Sequence, residues 1–186
     1  MTEPRIRELL EGVRRGERSI EEALGQLRAL PFEDLGFAKV DHHRALRCGF
    51  PEVIYCEGKT PEQVAAIFSR CASGGGNVLA TRASRTTYDV LAATTPNAQF
   101  QESARAITLR QTPLPSSNGV IAVVCAGTSD IPIAEEVRVT AEMMDQRTST
   151  FYDVGVAGIH RLFAHSAALQ AASVIVVIAG MEGALA

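Results

Sequence analysis

The chain has 186 residues, of which 46% are hydrophobic and 21% are charged, and its formal net charge at pH 7 is -3. This composition is typical of a globular protein with a sizeable core, and it excludes the basic surface that direct binding of nucleic acid requires. The first residues are polar and charged, and no apolar run approaches the roughly 20 residues that span a bilayer, so we expect a cytoplasmic protein that does not bind membranes.

Four cysteines, Cys48, Cys56, Cys71 and Cys125, are spread along the chain without a CxxC pair or a matching pair of histidines. In a protein without an export signal such cysteines are more often free thiols than disulfide partners or zinc ligands. The sequence therefore predicts free thiols and no metal site.

The first 34 residues are interpreted as a helical segment. Apolar residues recur there at spacings of three and four, which is the pattern of two amphipathic helices. Ser19 and Glu22 have the spacing of a capping box that opens the second helix. This segment is expected to be a hairpin that packs on the rest of the chain or on a second copy of it.

Residues 35–112 have the pattern of a small α/β domain. The predicted strands are at 37–40, 52–56, 77–81, 97–100 and 106–109, the last two as a hairpin. Thr60 and Pro61 are a cap and a first-turn proline for a helix that ends near residue 71, and a second helix is predicted over 84–93. The proline- and serine-rich residues 113–118 are the predicted linker.

Residues 119–186 repeat strand–helix units, a pattern that favours a parallel sheet with right-handed crossovers. Strands are predicted at 119–125, 148–154 and 173–179, the first and last of them buried, with a helix over 133–146 and another that ends near residue 168. Three strands make a thin sheet with an exposed edge. We therefore expect an incomplete or naturally short version of a doubly wound α/β domain.

The loop after the first of these strands, residues 126–132, has the sequence AGTSDIP. Thr128, Ser129 and Asp130 are candidate N-caps for a helix that begins near Pro132. Open α/β sheets bind ligands at this carboxyl edge, where backbone N–H groups of the helix are free. An ordinary strand–helix junction with a well-capped helix explains the same residues.

Polar side chains follow all three strands of this predicted sheet. They are Ser129 and Asp130, then Asp153, His160 and Arg161, then Glu182. Glycines that allow close approach of a ligand accompany them: Gly127, Gly155, Gly158, Gly180 and Gly183. This set suits a nucleotide phosphate and acid–base chemistry. The alternative is that the acids are partners of helix dipoles and that His160 and Arg161 lie in a solvated first turn.

The three strand ends resemble those of the aminoimidazole ribonucleotide carboxylase (PurE) fold. That fold has a GSxSD motif, a SAHR motif and an IAGAGG motif, which here correspond to AGTSDIP, to His160 and Arg161, and to IAG at 178–180. This chain lacks Ser-Ala before His160 and has Glu182 inside the third motif. Because of these differences, and of RCGFPEVIY at 47–55 and GKTPE at 58–62, the chain resembles the nickel-pincer cofactor biosynthesis protein family LarB over nearly its whole length.

The resemblance implies a flavodoxin-like, three-layer catalytic domain over residues 119–186 and an enzyme that acts on nicotinic acid adenine dinucleotide. Such enzymes carboxylate C5 of the pyridinium ring with CO2 or bicarbonate and cleave the phosphoanhydride, releasing AMP. The resemblance implies no tightly bound cofactor and assembly as an octamer. Whether Mg²⁺ assists the cleavage is left open.

The resemblance also implies roles for individual residues. Glu182 is the candidate base, and Asp130 and His160 are further catalytic candidates. The implied substrate-binding residues are Gly127, Thr128, Ser129, Asp153, Gly155, Gly158, Arg161, Gly180, Gly183, Arg47, Glu52 and Lys59. The family's nucleophilic cysteine lies in a C-terminal motif that these 186 residues do not contain, and Cys125 is interpreted as a structural thiol with a raised pKa.

Two other functions fit the sequence. One is a dinucleotide-binding or assembly module without catalytic activity. The other is a purine-pathway carboxylase or mutase, which the missing Ser-Ala before His160 and the additional N-terminal residues disfavour.

Overall fold

The computed structural model describes residues 3–28, 32–42, 44–113 and 118–186. Its helices are α1 (Glu3–Arg14), α2 (Ile20–Arg28), α3 (Arg44–Cys48), α4 (Pro61–Ser73), α5 (Arg85–Ala92), α6 (Ile131–Met143), α7 (Ile159–Phe163) and α8 (Ser166–Ala171). Its strands are β1 (Phe32–Asp34), β2 (Lys39–Asp41), β3 (Val53–Tyr55), β4 (Val78–Thr81), β5 (Gln99–Gln101), β6 (Ala106–Leu109), β7 (Val120–Cys125), β8 (Arg147–Phe151) and β9 (Val174–Ile178). Residues 114–117 of the predicted linker lie outside the described residues.

The N-terminal hairpin of α1 and α2 agrees with the helical periodicity. Ser19 and Glu22 form the predicted capping box, because the Glu22 N–H donates to the Ser19 hydroxyl at 3.1 Å and the Ser19 N–H donates to the Glu22 carboxylate at 2.9 Å. The prediction that residues 1–34 are helical is wrong at its end, where β1 pairs antiparallel with β2. The turn at Gly36, with φ 82°, allows the two strands to pair. Each strand has only three residues, which is too short to give a recognisable alternating pattern in the sequence.

The second region of the chain is a mixed four-stranded sheet with the order β3-β4-β6-β5. The predicted hairpin is confirmed as β5 and β6, and the Thr60 hydroxyl caps α4 by accepting the N–H of Gln63 at 3.3 Å. Helices α4 and α5 cover one face through Phe68 and Leu91, which are fully buried. One element was not predicted from the sequence, the short helix α3.

The third region is a parallel sheet of the order β8-β7-β9, flanked by helices as predicted. Alternate residues of β7 face opposite sides. Val123 and Cys125 pack with Ala134 of α6, and Ala122 and Val124 pack with the side covered by α7 and α8. Because both faces of β7 are covered, the strand is an apolar run without alternation.

Two details of this region differ from the prediction. The helix expected after β8 is divided into α7 and α8, which are short and separated at Ala164 and His165. Strand β9 was predicted to be buried, yet Val174 is 52% and Ile175 is 48% exposed. Strand β9 lies at an edge of the sheet, and α6 packs on β7 and β8 instead, which leaves the start of β9 exposed.

Helix α6 joins the two larger sheets. One side packs on β7 through Ala134 and Val137, and the other packs through Val139 and Met143 on Leu79 and Ala106 of the four-stranded sheet. A helix with apolar residues on two sides is typical of a buried position between layers. This packing explains why all four residues of β4 and all four of β6 are buried. Among the described residues, no helix combines the length and the hydropathy needed to cross a membrane.

Candidate functional site

The carboxyl ends of β7, β8 and β9 meet at one edge of the sheet. Val124 is in register with Phe151 of β8, and Cys125 is in register with Ile178 of β9. The N–H of Val154 donates to the Cys125 carbonyl at 3.1 Å, and the N–H of Ala126 donates to the Ile178 carbonyl at 3.0 Å. The loops that carry the predicted polar residues therefore begin side by side, as the sequence indicated.

The loop after β7 is closed by Asp130. Its carboxylate accepts the backbone N–H of Gly127 at 2.9 Å, across a single 3-10 turn formed by Thr128, Ser129 and Asp130. The expectation that one of these side chains caps the following α-helix is wrong: α6 begins at Ile131 without a side-chain cap. Asp130 instead shapes the loop, which leaves Thr128 and Ser129 exposed at the edge.

Cys125 lies directly below this loop and has no exposed surface. Its Sγ donates to the Gly127 carbonyl at 3.6 Å. Burial raises the pKa of the Cys125 thiol, the Asp153 N–H lowers it, and the carboxylates of Asp130 and Asp153 raise it again. A buried thiol with a raised pKa is a poor nucleophile at neutral pH, which agrees with its interpretation as structural.

The other cysteines are also free thiols. Burial raises the pKa of Cys56 to about 11 and that of Cys71 to about 12, whereas Cys48 is exposed at the end of α3. Among the described residues, no three His, Cys, Asp or Glu side chains form a group that would hold a metal ion.

The loop after β8 packs tightly against the loop after β7. The N–H of Gly155 donates to the Ala126 carbonyl at 2.9 Å, and a Cβ at Gly155 would lie 2.7 Å from the same oxygen. Real Cβ atoms essentially never come so close, so only glycine fits this contact. Asp153 adopts a left-handed backbone with φ 56°, which turns the chain out of β8.

An ion pair joins the two ends of this loop. Arg161 Nη1 lies 2.5 Å from Asp153 Oδ2, with 39% and 49% of the two side chains exposed. A Cβ at Gly158 would lie 2.7 Å from Arg161 Nε, so the absence of a side chain at Gly158 makes room for the guanidinium. His160, at the start of α7, is exposed, and its imidazole has no hydrogen-bond partner among the described residues.

Glu182 is not brought into contact with these groups. It lies in an exposed turn between Met181, with φ 50°, and Gly183, with φ 67°. The turn is held by the Gly183 N–H, which donates to the Gly180 carbonyl at 3.0 Å. No hydrogen bond or ion pair connects the Glu182 carboxylate to another described residue, so the prediction that it acts as a base rests on its position after β9 alone.

Of the three upstream substrate-binding predictions, Arg47 and Glu52 precede β3, and Lys59 lies between β3 and α4. The Glu52 carboxylate accepts the Asp41 N–H at 2.8 Å, and Lys59 Nζ donates to the Tyr55 carbonyl at 2.6 Å. Both therefore have structural contacts within their own region. Arg47 lies in α3, and its side chain is outside the described part of the structure.

One ion pair at the carboxyl end of β4, in the four-stranded sheet, was not predicted from the sequence. Arg82, directly after β4 and with φ 56°, donates from Nε to Glu136 Oε2 on α6 at 2.8 Å. Tyr55, at the end of the parallel strand β3, donates to Glu57, which raises the pKa of the Tyr55 hydroxyl. The sequence signal was the position of Arg82 between the strand predicted at 77–81 and the helix predicted over 84–93, since a residue that follows a strand lies at an edge of the sheet.

Comparison with known proteins supports a family assignment. Residues 32–111 match the LarB/PurE-like N-terminal domain family. The chain is also 33% identical over 192 residues to the uncharacterized protein MJ0165 of Methanocaldococcus jannaschii, an alignment that covers 97% of this chain and 74% of that protein. The chain therefore belongs to the family of proteins with a LarB/PurE-like N-terminal domain.

Proposed function

We propose that the protein is a carboxylase and hydrolase of nickel-pincer cofactor biosynthesis, acting on nicotinic acid adenine dinucleotide. Family membership supports this proposal at the level of the fold. The observation that carries it further is the loop of residues 153–161, where Arg161 is held by Asp153 over the buried Gly158. This arrangement presents a guanidinium beside a second loop with exposed hydroxyls, which suits a phosphate or a carboxylate.

At Arg161, the phosphate of a ligand can replace the Asp153 carboxylate as the partner of the guanidinium. An ion pair whose members are both well exposed contributes at most about 1 kcal/mol to stability, so a phosphate can replace the carboxylate at low cost. The exposed Thr128 and Ser129 precede the N-terminal end of α6, whose helix dipole favours a negative charge. These groups together would bind the diphosphate of the dinucleotide.

The proposed chemistry solves one problem: a pyridinium ring is too electron-poor to attack CO2. Addition of a thiolate to the ring gives a dihydropyridine, whose enamine carbon C5 forms a bond to CO2. A base then removes the C5 proton, and expulsion of the thiolate restores the aromatic ring. The net change replaces the C5 hydrogen by a carboxylate and releases a proton, and water separately cleaves the phosphoanhydride to give the mononucleotide and AMP.

We assign the base to Glu182, because it is the carboxylate that follows β9 at the same edge. Cys125 is unsuited as the thiolate, since it is buried and its pKa is raised. The resemblance places the nucleophile in a C-terminal motif, and we propose that such a cysteine, or an added small thiol in its place, supplies the thiolate.

The test uses the protein with the dinucleotide, isotopically labelled bicarbonate and a small alkyl thiol, and mass spectrometry of the products. The expected products are AMP and a mononucleotide that has gained one labelled carboxylate. Arg161→Gln is expected to abolish formation of AMP and of the labelled mononucleotide. The control Arg147→Gln changes an arginine at the opposite end of β8 and is expected to form both products at the original rate. If Arg161→Gln forms both products at the original rate, the assignment of the site is wrong.

A second candidate function is a dinucleotide-binding module without catalysis. It is favoured by the lack of any described contact that orients Glu182, and by the burial of Cys125. Binding of the dinucleotide that depends on Arg161, without labelled product in the presence of thiol, would select this function. Absence of binding would overturn both.

A further inference from the structure

We infer a second ligand site in the groove between α6 and the β5–β6 hairpin, with the size and chemistry for the base of a purine nucleoside. The groove has a volume of about 310 Å³, near the lower end of the range for small-molecule sites. It lies along the C-terminal half of α6, where Arg138 to Met143 are about 10 to 18 Å along the helix from Ile131. The site is therefore separate from the sheet edge and does not depend on the proposed function.

One wall of the groove is formed by side-chain amides. Gln99 and Gln101 are alternate residues of the edge strand β5, so both point to the same face of the sheet, and Asn97 precedes them. Phe100, between them, points to the other face and stacks on Tyr88. The hairpin thus fixes the direction of two amides by burying the aromatic residue that separates them.

These amides are available to a ligand. No hydrogen bond connects the side chains of Asn97, Gln99 or Gln101 to another described residue, so each can offer one acceptor and two donors. Asn97 and Gln99 are exposed, and Gln101 is half-buried. The edge of a purine base has donors and acceptors in alternation, and asparagine and glutamine amides pair with the adenine edge in two hydrogen bonds.

The opposite wall carries charges that are already paired. Arg138 donates to both oxygens of Glu135, at 2.8 and 2.9 Å, and to Glu142 at 2.7 Å. Arg110 donates to Asp145 and to the Glu142 carbonyl. Arg138 is held by two carboxylates, and Arg110 by a carboxylate and a carbonyl, so a phosphate would have to displace two partners at either guanidinium. An uncharged ligand is therefore favoured.

The floor is suited to a flat ring. Val139 and Met143 of α6 line it, both nearly buried, together with Thr108 of β6, which is 7% exposed. A methionine thioether and an aliphatic side chain make favourable contacts with the face of an aromatic ring. Amides at the ring edge, apolar contacts at the ring face and paired charges together define the chemistry of an uncharged heterocycle.

The experiment is a calorimetric titration of the protein with adenosine. The double variant Gln99→Ala, Gln101→Ala is expected to bind adenosine about tenfold or more weakly, because two amide partners are lost. The matched control Gln170→Ala removes an exposed amide on α8 and is expected to leave the affinity unchanged. In an Arg161→Gln background, which removes the proposed phosphate partner at the sheet edge, AMP is expected to bind no more tightly than adenosine, since the guanidinium groups of the groove are already paired.

Thermal unfolding shows whether the double variant is folded, and Gln101→Thr, which suits a strand, replaces it if it is not. No heat of binding at millimolar adenosine, or an affinity that the groove variants do not change, would overturn the inference. Tighter binding of AMP than of adenosine in the Arg161→Gln background would overturn the assignment to an uncharged ligand. The adenosine titrations test residues of the groove alone, and the AMP titration is made without the Arg161 guanidinium, so both are independent of the proposed function.

Discussion

The loops after β8 and β9 lie on either side of β7 at the same sheet edge, but they are built in different ways. The loop after β8 contacts its neighbour through Gly155, carries the Asp153–Arg161 ion pair and encloses Gly158. The loop after β9 is open: a Cβ at Gly180 or at Gly183 would meet nothing within 4 Å, and Met181 is fully exposed.

The difference separates two parts of the proposed site. The groups suited to anion binding are held in place by the fold before any ligand arrives, and such preorganisation lowers the cost of binding. The carboxylate assigned as the base has no comparable support. Binding is therefore expected to be robust in this chain, and catalysis is expected to depend on what orients Glu182.

The contrast between the two loops is tested most strongly by adding a methyl group to each. Gly155→Ala places a Cβ 2.7 Å from a backbone oxygen that cannot move alone, so we expect a loss of about 1–3 kcal/mol in the free energy of unfolding. In Gly180→Ala the new Cβ has no atom within 4 Å, so the free energy of unfolding is expected to change by no more than about 0.5 kcal/mol. Chemical denaturation of both variants measures the difference, and equal values would show that the two loops are packed alike.

A smaller effect on stability is expected at Gly158. In Gly158→Ala the new Cβ meets the Arg161 side chain, which can rotate away, so the loss is limited to an exposed ion pair of at most about 1 kcal/mol. The displaced guanidinium no longer meets the ligand, and we expect the affinity for the dinucleotide to fall by about tenfold. Titration calorimetry measures this, and an unchanged affinity would remove Arg161 from the binding site.

The loop after β8 also has an anchor that depends on pH. Tyr152, just before Asp153, donates to the Glu135 carboxylate, and the Arg138 guanidinium with its hydrogen bonds lowers the pKa of Glu135. A lowered pKa in the folded protein stabilises it above the ordinary glutamate value of about 4.3, and this contribution is lost as the pH falls through the lowered value.

The measurement is the free energy of unfolding between pH 7 and pH 3. The original protein is expected to lose stability below about pH 4.3 through this carboxylate, and Glu135→Gln is expected to have a smaller slope there. An identical slope in the two proteins would mean that Glu135 does not contribute to the acid sensitivity.

Much of the fold could be predicted from local patterns in the sequence. Ser19 and Thr60 predicted helix starts because their side chains accept a backbone N–H a few residues later, a contact that depends on nearby sequence alone. The parallel sheet followed from the alternation of apolar strands and helices, and its direction brought the three loops to one edge.

The contacts between distant segments had no such signal. The apolar stripe of α6 that contains Val139 and Met143 is meaningful only once a second sheet lies against it. Asp153 and Arg161 were identified separately, but their pairing depends on how the loop folds back, and Asp130 was assigned to the wrong N–H for the same reason. The place of these side chains at the sheet edge could therefore be predicted from the sequence, and their hydrogen-bond partners could not.

The smallest effect on stability is expected for Glu182→Gln. The carboxylate is exposed and has no described partner, so its replacement by an amide of the same shape is expected to change the free energy of unfolding by no more than about 0.5 kcal/mol. Glu102→Gln, at an exposed site in the β5–β6 turn, is the matched control. In the labelled-bicarbonate assay Glu182→Gln is expected to stop carboxylation while dinucleotide affinity is kept, because an amide cannot accept the C5 proton. Product formation at the original rate would exclude Glu182 as the base, and a large loss of stability would mean that the loop after β9 has contacts as firm as those after β8.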